Sequence, residues 1–244
     1  MPKRSTSAIE DLALPWWSER AERIPLSRKQ ILAAAIDLID RDGLEAFSLR
    51  KLAADLGVTT PALYTHVRNR EELLVLVFDT VVSQMDLPDD DSTEWAEDLR
   101  VIARSWRETM QTHREMARLS AIGMPLGPSL LRRMDVVFGA LLRAGLPPRE
   151  AFSLCTAFAV NFMGYALFID ANNPVRQLER AGASPEAAKE QWAQMLSALP
   201  AEAAPNVAAL RTYFEVDTDE DSEVFDTSLD LLIEAARARI EGSS

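Results

Sequence analysis

Hydrogen-bond donors of several kinds are concentrated between residues 50 and 70 of this 244-residue chain. The segment carries hydroxyl groups, an imidazole and several cations, with small residues between them. Such side chains can pair with phosphates and with base edges in a DNA groove, where a threonine methyl can also contact thymine. We therefore expect a nucleic-acid surface made of ten residues: Arg50, Lys51, Thr59, Thr60, Pro61, Ala62, Tyr64, Thr65, His66 and Arg70.

Size and reach predict how these side chains divide the contacts. Arg50 is long enough for a bidentate contact to guanine. Three residues are small enough for close approach to base edges, namely Thr60, Ala62 and Thr65. Phosphate contacts, which set register rather than sequence choice, are expected from Lys51, Thr59, Tyr64, His66 and Arg70.

Two short helices must hold this surface in place. Ser48 can cap the first helix, Gly57 can end it, and Pro61 suits the first turn of the second. Ala53 is small where the two helices should cross. This spacing is typical of a helix-turn-helix, whose second helix enters the major groove. We expect that recognition helix at about residues 60–67.

Amphipathic helices flank this unit. Ser27 with Gln30 gives a capping-box pattern for a helix that Gly43 can end, and Asn69 can cap a fourth helix. The absence of strand alternation predicts an all-α chain. Further helices are expected at roughly 93–114, 127–144, 149–172, 184–198 and 222–241, with 173–221 the least regular stretch.

Three regions follow from these patterns. Residues 1–26 are expected to form an N-terminal arm, and residues 27–72 a three-helix, helix-turn-helix DNA-binding domain. Residues 73–244 are expected to form a larger C-terminal helical domain.

The net charge of −12 would by itself argue against nucleic-acid binding, but the charge is unevenly distributed along the chain. Residues 1–72 are neutral, whereas residues 73–244 carry 15 basic and 27 acidic side chains. Between residues 46 and 70 there are four basic side chains against one acidic side chain. A basic face would therefore turn toward DNA and the acidic part away from it.

Other features favour a cytoplasmic protein without cofactor, metal or membrane association. Cys155 is the one cysteine, which excludes an intramolecular disulfide and a cysteine-based zinc site. No apolar run is expected to reach the length of a membrane span, and the longest is interrupted by Asn161 and Gly164. The N-terminus lacks the apolar centre of a signal peptide.

Residues 26–86 resemble the DNA-binding domain of the TetR family of bacterial regulators. The matching phrases are 31–43, 49–53, 56–58 and 61–70. The resemblance implies an all-helical homodimer, usually a repressor that a small molecule releases from its operator. It places the family's DNA contacts on Thr60, Pro61, Ala62, Tyr64 and His66, with Arg50 and Arg70 from the neighbouring helices.

The C-terminal region resembles the ligand domain of the tetracycline-repressor branch, in the order of its helices and in the pattern of residues 152–168. The resemblance implies that residues 73–244 form a ligand-binding and dimerisation domain. Its pocket would lie between the fourth helix and the next three and would hold a small hydrophobic or amphipathic effector. The candidate lining residues are Phe78, Trp106, Met110, His113, Phe138, Phe158, Asn161, Phe162 and Met163. The alternative is that the aromatic and methionine side chains among them only fill a core.

The helices expected at 149–172 and 222–241 are the candidates for a dimer interface. The first is apolar on nearly every face, so it is either wholly buried or shared with a partner. Two such helices per chain can pair across a twofold axis, and the double-stranded DNA operator would then be palindromic. The alternative is that both helices fill the core of one subunit.

Two other functions stay open at this stage. The chain could be a DNA-binding activator or architectural protein that responds to no ligand. An enzyme is less favoured, because the sequence shows no glycine-rich phosphate loop, nucleophile motif or metal-ligand cluster.

Overall fold

The computed structural model describes residues 26–89, 92–122, 126–171, 174–202, 204–210 and 218–242. Every regular element within these ranges is a helix, which confirms the all-α prediction. The helices are α1 (Arg28–Asp42), α2 (Leu49–Asp55), α3 (Thr60–Leu63), α4 (Arg70–Val82), α5 (Trp95–Thr112), α6 (Arg114–Ile122), α7 (Pro128–Arg143), α8 (Pro148–Ala171), α9 (Pro174–Arg180), α10 (Pro185–Ser197), α11 (Pro205–Ala209) and α12 (Thr218–Gly242). The arm predicted for residues 1–26 lies outside the described residues, apart from Leu26.

The caps predicted from sequence begin the helices of the N-terminal part. Ser27 and Gln30 form a reciprocal capping box at α1. Ser48 accepts a hydrogen bond from the Lys51 backbone at α2, and Asn69 accepts one from the Glu72 backbone at α4. Each cap satisfies a backbone N–H that has no partner inside its helix. These helix starts are therefore encoded by residues three positions apart.

The third helix is shorter than predicted. It ends at Leu63 rather than continuing to Val67, and the next residues form turns. The backbone N–H groups of His66 and Val67 both donate to the Leu63 carbonyl, at 2.9 and 3.1 Å. The Leu63 carbonyl thus accepts two hydrogen bonds at the end of α3, and the chain then turns toward the start of α4. The predicted range 60–67 is wrong as a helix, although it remains one compact segment.

One apolar core joins the N-terminal helices to α5 and α6. Leu52, Leu63 and Val77 are fully buried in it, as is Met116 of α6. Removing such a side chain to alanine typically costs about 2–5 kcal/mol. Helices α1 and α4 therefore pack directly on α6, and α4 also packs on α5.

A second core holds the C-terminal helices together. Leu99 of α5, Leu141 of α7, Phe158 of α8 and Phe225 of α12 are buried in it. The helices predicted at 127–144, 149–172, 184–198 and 222–241 correspond to α7, α8, α10 and α12 within a few residues. Helix α6 and the short helices α9 and α11 were not predicted.

The break between α5 and α6 occurs at His113. This residue has φ −116° and ψ 67°, and its backbone N–H closes α5 on the Thr109 carbonyl. The predicted helix at 93–114 is thus Trp95–Thr112, and a new helix starts at Arg114. No glycine or proline marks this position in the sequence.

Candidate nucleic-acid interface and ligand site

A tight turn between α2 and α3 sets the angle of the recognition segment. Gly57 has φ 64°, in the left-handed region that glycine adopts without strain. The Val58 N–H donates to the Ala53 carbonyl at 2.9 Å, which closes the turn. Ala53 and Leu63 are both buried in the first core, and the small Ala53 side chain allows the two helices to cross closely. The two helices predicted as a helix-turn-helix are brought together in that arrangement.

The predicted DNA-contacting side chains of this segment lie on its outer face. Tyr64 is 53% exposed, whereas Leu63 and Val67 face the core. The Thr65 hydroxyl donates to the Ala62 carbonyl at 2.7 Å, which fixes the threonine methyl in one orientation. Four of the predicted residues are exposed, namely Thr59, Pro61, Tyr64 and Thr65. Three are half-buried, namely Thr60, Ala62 and His66.

Arg28, which the sequence did not single out, holds the end of this segment. Its Nη2 atom donates to the His66 carbonyl at 3.0 Å from the first turn of α1. The two residues are 38 positions apart, so no local pattern links them. The recognition segment is therefore fixed from α1 as well as from its own core residues.

The three predicted basic contacts differ in their surroundings. Arg50 is exposed at the start of α2. The Lys51 Nζ atom lies 3.8 Å from Asp42 Oδ2, beside an Arg41–Asp42 ion pair. Hydrogen bonding from Arg41 holds the pKa of the Asp42 carboxyl below its usual range. Lys51 thus lies in a surface cluster of mixed charge.

Arg70 is turned toward the loop between α1 and α2. Its Nη2 atom donates to the Leu44 carbonyl at 3.3 Å, and its guanidinium lies 5.7 Å from the centre of the Phe47 ring. This contact attaches the start of α4 to the body of the helix-turn-helix. Any phosphate contact would use the donors that remain on Arg70.

The nine predicted ligand-lining residues are not brought to one place. Phe78 and Met110 belong to the first core and Trp106 packs against it. Phe158 and Phe162 lie in the second core, with ring centres 5.7 Å apart. The other four lie elsewhere. Phe138 is half-buried and stacks on Phe152, and Asn161 lies near Ser228 of α12. His113 lies at the break between α5 and α6, and Met163 is half-buried on α8.

A polar, solvent-open cleft of about 520 Å³ lies away from the apolar candidates. It separates the end of α1 from the α5–α6 junction, and its walls are mostly charged. The lining residues are Asp40, Arg41, Asp42, Gly43, Thr112, Arg114, Glu115 and Arg180. This composition differs from the apolar walls that drug-sized ligands usually need, so we do not assign the effector to it.

A polar joint connects α4 to the start of α7. The Asp79 carboxylate accepts from the Ser129 N–H at 2.8 Å and from the Ser129 hydroxyl at 3.0 Å. Gly127 precedes α7 and offers no capping side chain. Asp79 of another helix therefore performs the capping, and negative charge is favourable at that helix end.

Arg133, one turn further along α7, donates to the carbonyl of Met85, just beyond the end of α4. It is only 7% exposed, and burial lowers the pKa of its guanidinium below the usual range. Sequence reasoning missed this residue, because an arginine on an amphipathic helix ordinarily faces solvent.

Helices α8 and α12 expose apolar side chains in the single chain. Val160 of α8 is 67% exposed and Leu231 of α12 is 62% exposed. By length and composition the stretch Pro148–Leu167 could cross a membrane, with a mean hydropathy of 1.2, and 11% of that window is buried. The expectation that no apolar stretch is long enough was thus wrong on length alone. Of the two interpretations of α8, wholly buried or shared with a partner, the first does not hold in the single chain.

Sites for metal or thiol chemistry are not evident in the described ranges. No group of three or more histidine, cysteine, aspartate or glutamate side chains that could hold a metal ion was found there. Cys155 is half-buried, and burial raises the pKa of its thiol. The thiol is therefore in its less reactive, protonated form.

Comparison with known proteins gives matches along most of the chain. Residues 31–77 match the family described as bacterial regulatory proteins, tetR family, and residues 87–240 match the tetracyclin repressor-like C-terminal domain. The crystal structure of apo ActR from Streptomyces coelicolor is 30% identical, with a TM-score of 0.74 over 90% of this chain and 99% of that chain.

Two further matches concern ligands. ActR in complex with actinorhodin is 31% identical, with a TM-score of 0.73 over 88% of this chain and 98% of that chain. The tetracycline repressor protein class E of Escherichia coli is 28% identical over 68% of this chain and 80% of its own length.

Proposed function

The chain belongs to the TetR family of bacterial transcriptional regulators and is a ligand-responsive DNA-binding repressor, and we propose that the surface around α3 reads its operator. The proposed base contacts come from Arg50 and from the small residues Thr60, Ala62 and Thr65. The proposed phosphate contacts come from Lys51, Thr59, Tyr64, His66 and Arg70, with Pro61 beside the sugar–phosphate backbone. The outward orientation of the recognition segment is the observation that carries this assignment.

The repressor acts as a homodimer, in which α8 and α12 of each chain form the interface. Their exposed apolar side chains support this assignment, because a four-helix contact across a twofold axis would remove them from water. Two recognition segments must then lie about 34–36 Å apart to enter successive major grooves. The operator is accordingly palindromic, and the protein works in the cytoplasm, without a membrane.

The effector is a small hydrophobic or amphipathic molecule, bound by residues 73–244 between α4, α5, α7 and α8. ActR, the similar regulator from Streptomyces coelicolor, has been crystallised with actinorhodin. Among the candidate lining residues, Phe78, Trp106 and Met110 lie in or against the first core, which also includes α4. Residues 27–72 supply the DNA-binding part, and residues 1–26 the arm.

Release from DNA is a population shift between two conformations. A ligand that binds better to a conformation with another spacing of the recognition segments lowers operator occupancy by its differential affinity. Helix α4 is the connecting element, because Arg70 ties its start to the DNA-binding helices and Asp79 ties it to α7.

Selection of bound duplexes from a random DNA library tests the operator assignment. A twofold sequence with half-sites one helical turn apart is expected. Arg50→Ala should weaken binding by about 1–3 kcal/mol and relax the preference at one base position. Lys189→Ala, an exposed cation on α10, should leave binding unchanged. Equal binding to all duplexes would contradict the assignment.

Ligand response is tested separately, by screening compounds for a rise in melting temperature of the full-length protein. A true effector should stabilise the folded chain by mass action and should release the selected operator. A compound that stabilises the protein yet leaves operator affinity unchanged would point instead to a DNA-binding protein that responds to no ligand.

A further inference from the structure

Arg68 is a strongly exposed cation at the end of the recognition segment. Its side chain is 87% exposed to solvent. Two other arginines around this segment are instead attached to the backbone. Arg28 donates to the His66 carbonyl, and Arg70 donates to the Leu44 carbonyl. Arg68 thus combines a place beside the proposed DNA-reading surface with a side chain that solvent reaches almost completely.

A carboxylate in the first turn of α4 holds Arg68 in two ways. The Arg68 backbone N–H donates to Glu72 Oε2 at 2.5 Å. The guanidinium contacts the same carboxylate less closely, with Nε 3.3 Å from Oε2 and Nη2 3.4 Å from Oε1. These two distances are long for charge-assisted hydrogen bonds, and an exposed ion pair of this spacing contributes little to stability. The backbone contact can therefore keep Glu72 in place while the guanidinium leaves it.

The Glu72 carboxylate lies close to the end of the recognition segment, because Arg28 acts on both. The Arg28 Nη2 atom donates to the His66 carbonyl at 3.0 Å. Hydrogen bonds from Arg68 lower the pKa of the Glu72 carboxyl, and the positive charge of Arg28 lowers it further. These four residues therefore form one connected polar group at the edge of the surface proposed to contact DNA.

We propose that Arg68 contacts a phosphate of the operator DNA, and that Glu72 takes the place of this phosphate in the free protein. The inference rests on the proposed function, since it adds a residue to the operator-binding surface. A phosphate offers a guanidinium charge-assisted and often bidentate hydrogen bonds, and the pairing also releases counterions from the DNA. Binding thus exchanges a long surface contact for a stronger one.

The exchange has the same cost on every DNA sequence. Glu72 competes with a phosphate whatever the neighbouring bases are, because phosphate contacts carry no direct sequence information. The Arg68–Glu72 pair therefore lowers the affinity for the operator and for other duplexes by the same factor. The choice between sequences is left to the base contacts proposed for Arg50 and the recognition segment.

The phosphate contact is tested with the full-length protein, the selected operator duplex and a duplex of scrambled sequence. Fluorescence anisotropy is measured over a series of salt concentrations. Arg68→Ala should weaken binding to both duplexes about three- to tenfold and lower the salt slope by about 1. Arg68→Lys should restore the slope. Arg104→Ala, which removes the same charge from an exposed ion pair with Glu97 on α5, should change neither quantity. An Arg68→Ala protein with the affinity and slope of the wild type overturns the proposal.

The role of Glu72 is tested by a double-mutant cycle on DNA binding. Glu72→Gln keeps an acceptor for the Arg68 N–H but loses the charge, and should tighten binding to both duplexes about two- to fivefold. The gain should disappear in the Arg68→Ala background. Glu71→Gln removes the same charge from the exposed neighbouring position, and should give a smaller gain that is equal in both backgrounds. A Glu72→Gln gain that persists without Arg68 would reflect general charge repulsion and would contradict the proposed exchange.

The same measurements separate this inference from the proposed function. If Arg50→Ala weakens operator binding while Arg68→Ala changes nothing, the inference is wrong and the operator assignment stands. If Arg68→Ala weakens binding to every duplex while selection yields no preferred sequence, the phosphate contact stands and the operator assignment is lost. A wild-type protein that binds no duplex would overturn both.

Discussion

The Nδ1 atom of His113, at the break between α5 and α6, lies 2.6 Å from the Oδ2 atom of Asp40 on α1. Close by, the Leu44 N–H donates to Glu115 Oε2 at 3.1 Å. These polar contacts connect the DNA-binding helices to the ligand region beside the apolar contacts of α4. His113 is therefore placed at an interface between regions.

A double-mutant cycle of Asp40→Asn and His113→Ala measures this contact. The His113 side chain is 15% exposed and the Asp40 side chain 27%, so the coupling free energy of unfolding should be about 0.5–1.5 kcal/mol, as for a typical intramolecular hydrogen bond. Urea denaturation gives the four free energies. The pair Glu45 and Arg118 is more exposed and should show almost no coupling. Equal coupling in both cycles would contradict the interpretation.

Arg28→Ala should weaken operator binding about three- to thirtyfold, because the recognition segment loses its bond at the His66 carbonyl. Arg28→Lys should recover part of the affinity, and Lys29→Ala, a neighbouring exposed cation, should have a much smaller effect. Fluorescence anisotropy across a range of salt concentrations distinguishes the roles. A positioning residue leaves the salt dependence unchanged, whereas loss of a direct phosphate contact lowers the slope by about 1.

Val160→Glu should convert the dimer to a monomer and abolish operator binding. The substitution places a charge on the exposed apolar face of α8, and a buried unpaired charge is costly. Sedimentation velocity measures the oligomeric state directly. Met195→Glu on α10 is the control, because that side chain is 54% exposed and lies outside the proposed interface. A Val160→Glu protein that remains dimeric would place the interface elsewhere.

Acid should remove the contribution of Glu72 to stability. Hydrogen bonds from the Arg68 backbone and side chain hold the pKa of the Glu72 carboxyl below its usual range. A carboxyl whose pKa is lower in the folded state stabilises the fold at a pH above its pKa in the unfolded state. This stabilisation is lost as the pH falls through the pKa of the folded state.

Glu72→Gln should therefore be less stable than wild type at neutral pH, and the difference should disappear on acidification. Denaturation midpoints measured from pH 7 downward give the comparison. Glu71→Gln, at the exposed neighbouring position, is the control. A difference between wild type and Glu72→Gln that persists in acid would show that the carboxylate charge is not its source.

Local signals predicted the DNA-binding part well. Ser27, Ser48 and Asn69 each act within three residues of their partners, and Gly57 determines its own backbone angle. The end of α3 was predicted at the wrong residue because the Leu63 carbonyl accepts hydrogen bonds from two backbone N–H groups. No residue type in the sequence indicates this. Interactions between residues close in the chain can be predicted from a sequence, whereas the competition of two backbone donors for one carbonyl cannot.

The ligand region was predicted less completely, because its features depend on how helices cross. Aromatic spacing identified Phe78 and Phe158 as interior residues, but not that they belong to different cores. Arg133 and Arg28 each act on a carbonyl more than 35 positions away in the chain. Such pairs become visible only when the helices are assembled.

The close approach of Asp79 to Gly127 constrains how this chain can diverge. The backbone of Gly127 is extended, with φ −98° and ψ 168°, so its dihedral angles would suit any residue. A Cβ atom there would nevertheless lie 2.1 Å from Asp79 Oδ1. The glycine is therefore required by a side chain 48 positions earlier. Because the Asp79 Cβ atom would itself lie 2.7 Å away, position 127 should become free to vary among descendants of this sequence only in lineages where α4 and the start of α7 have first moved apart.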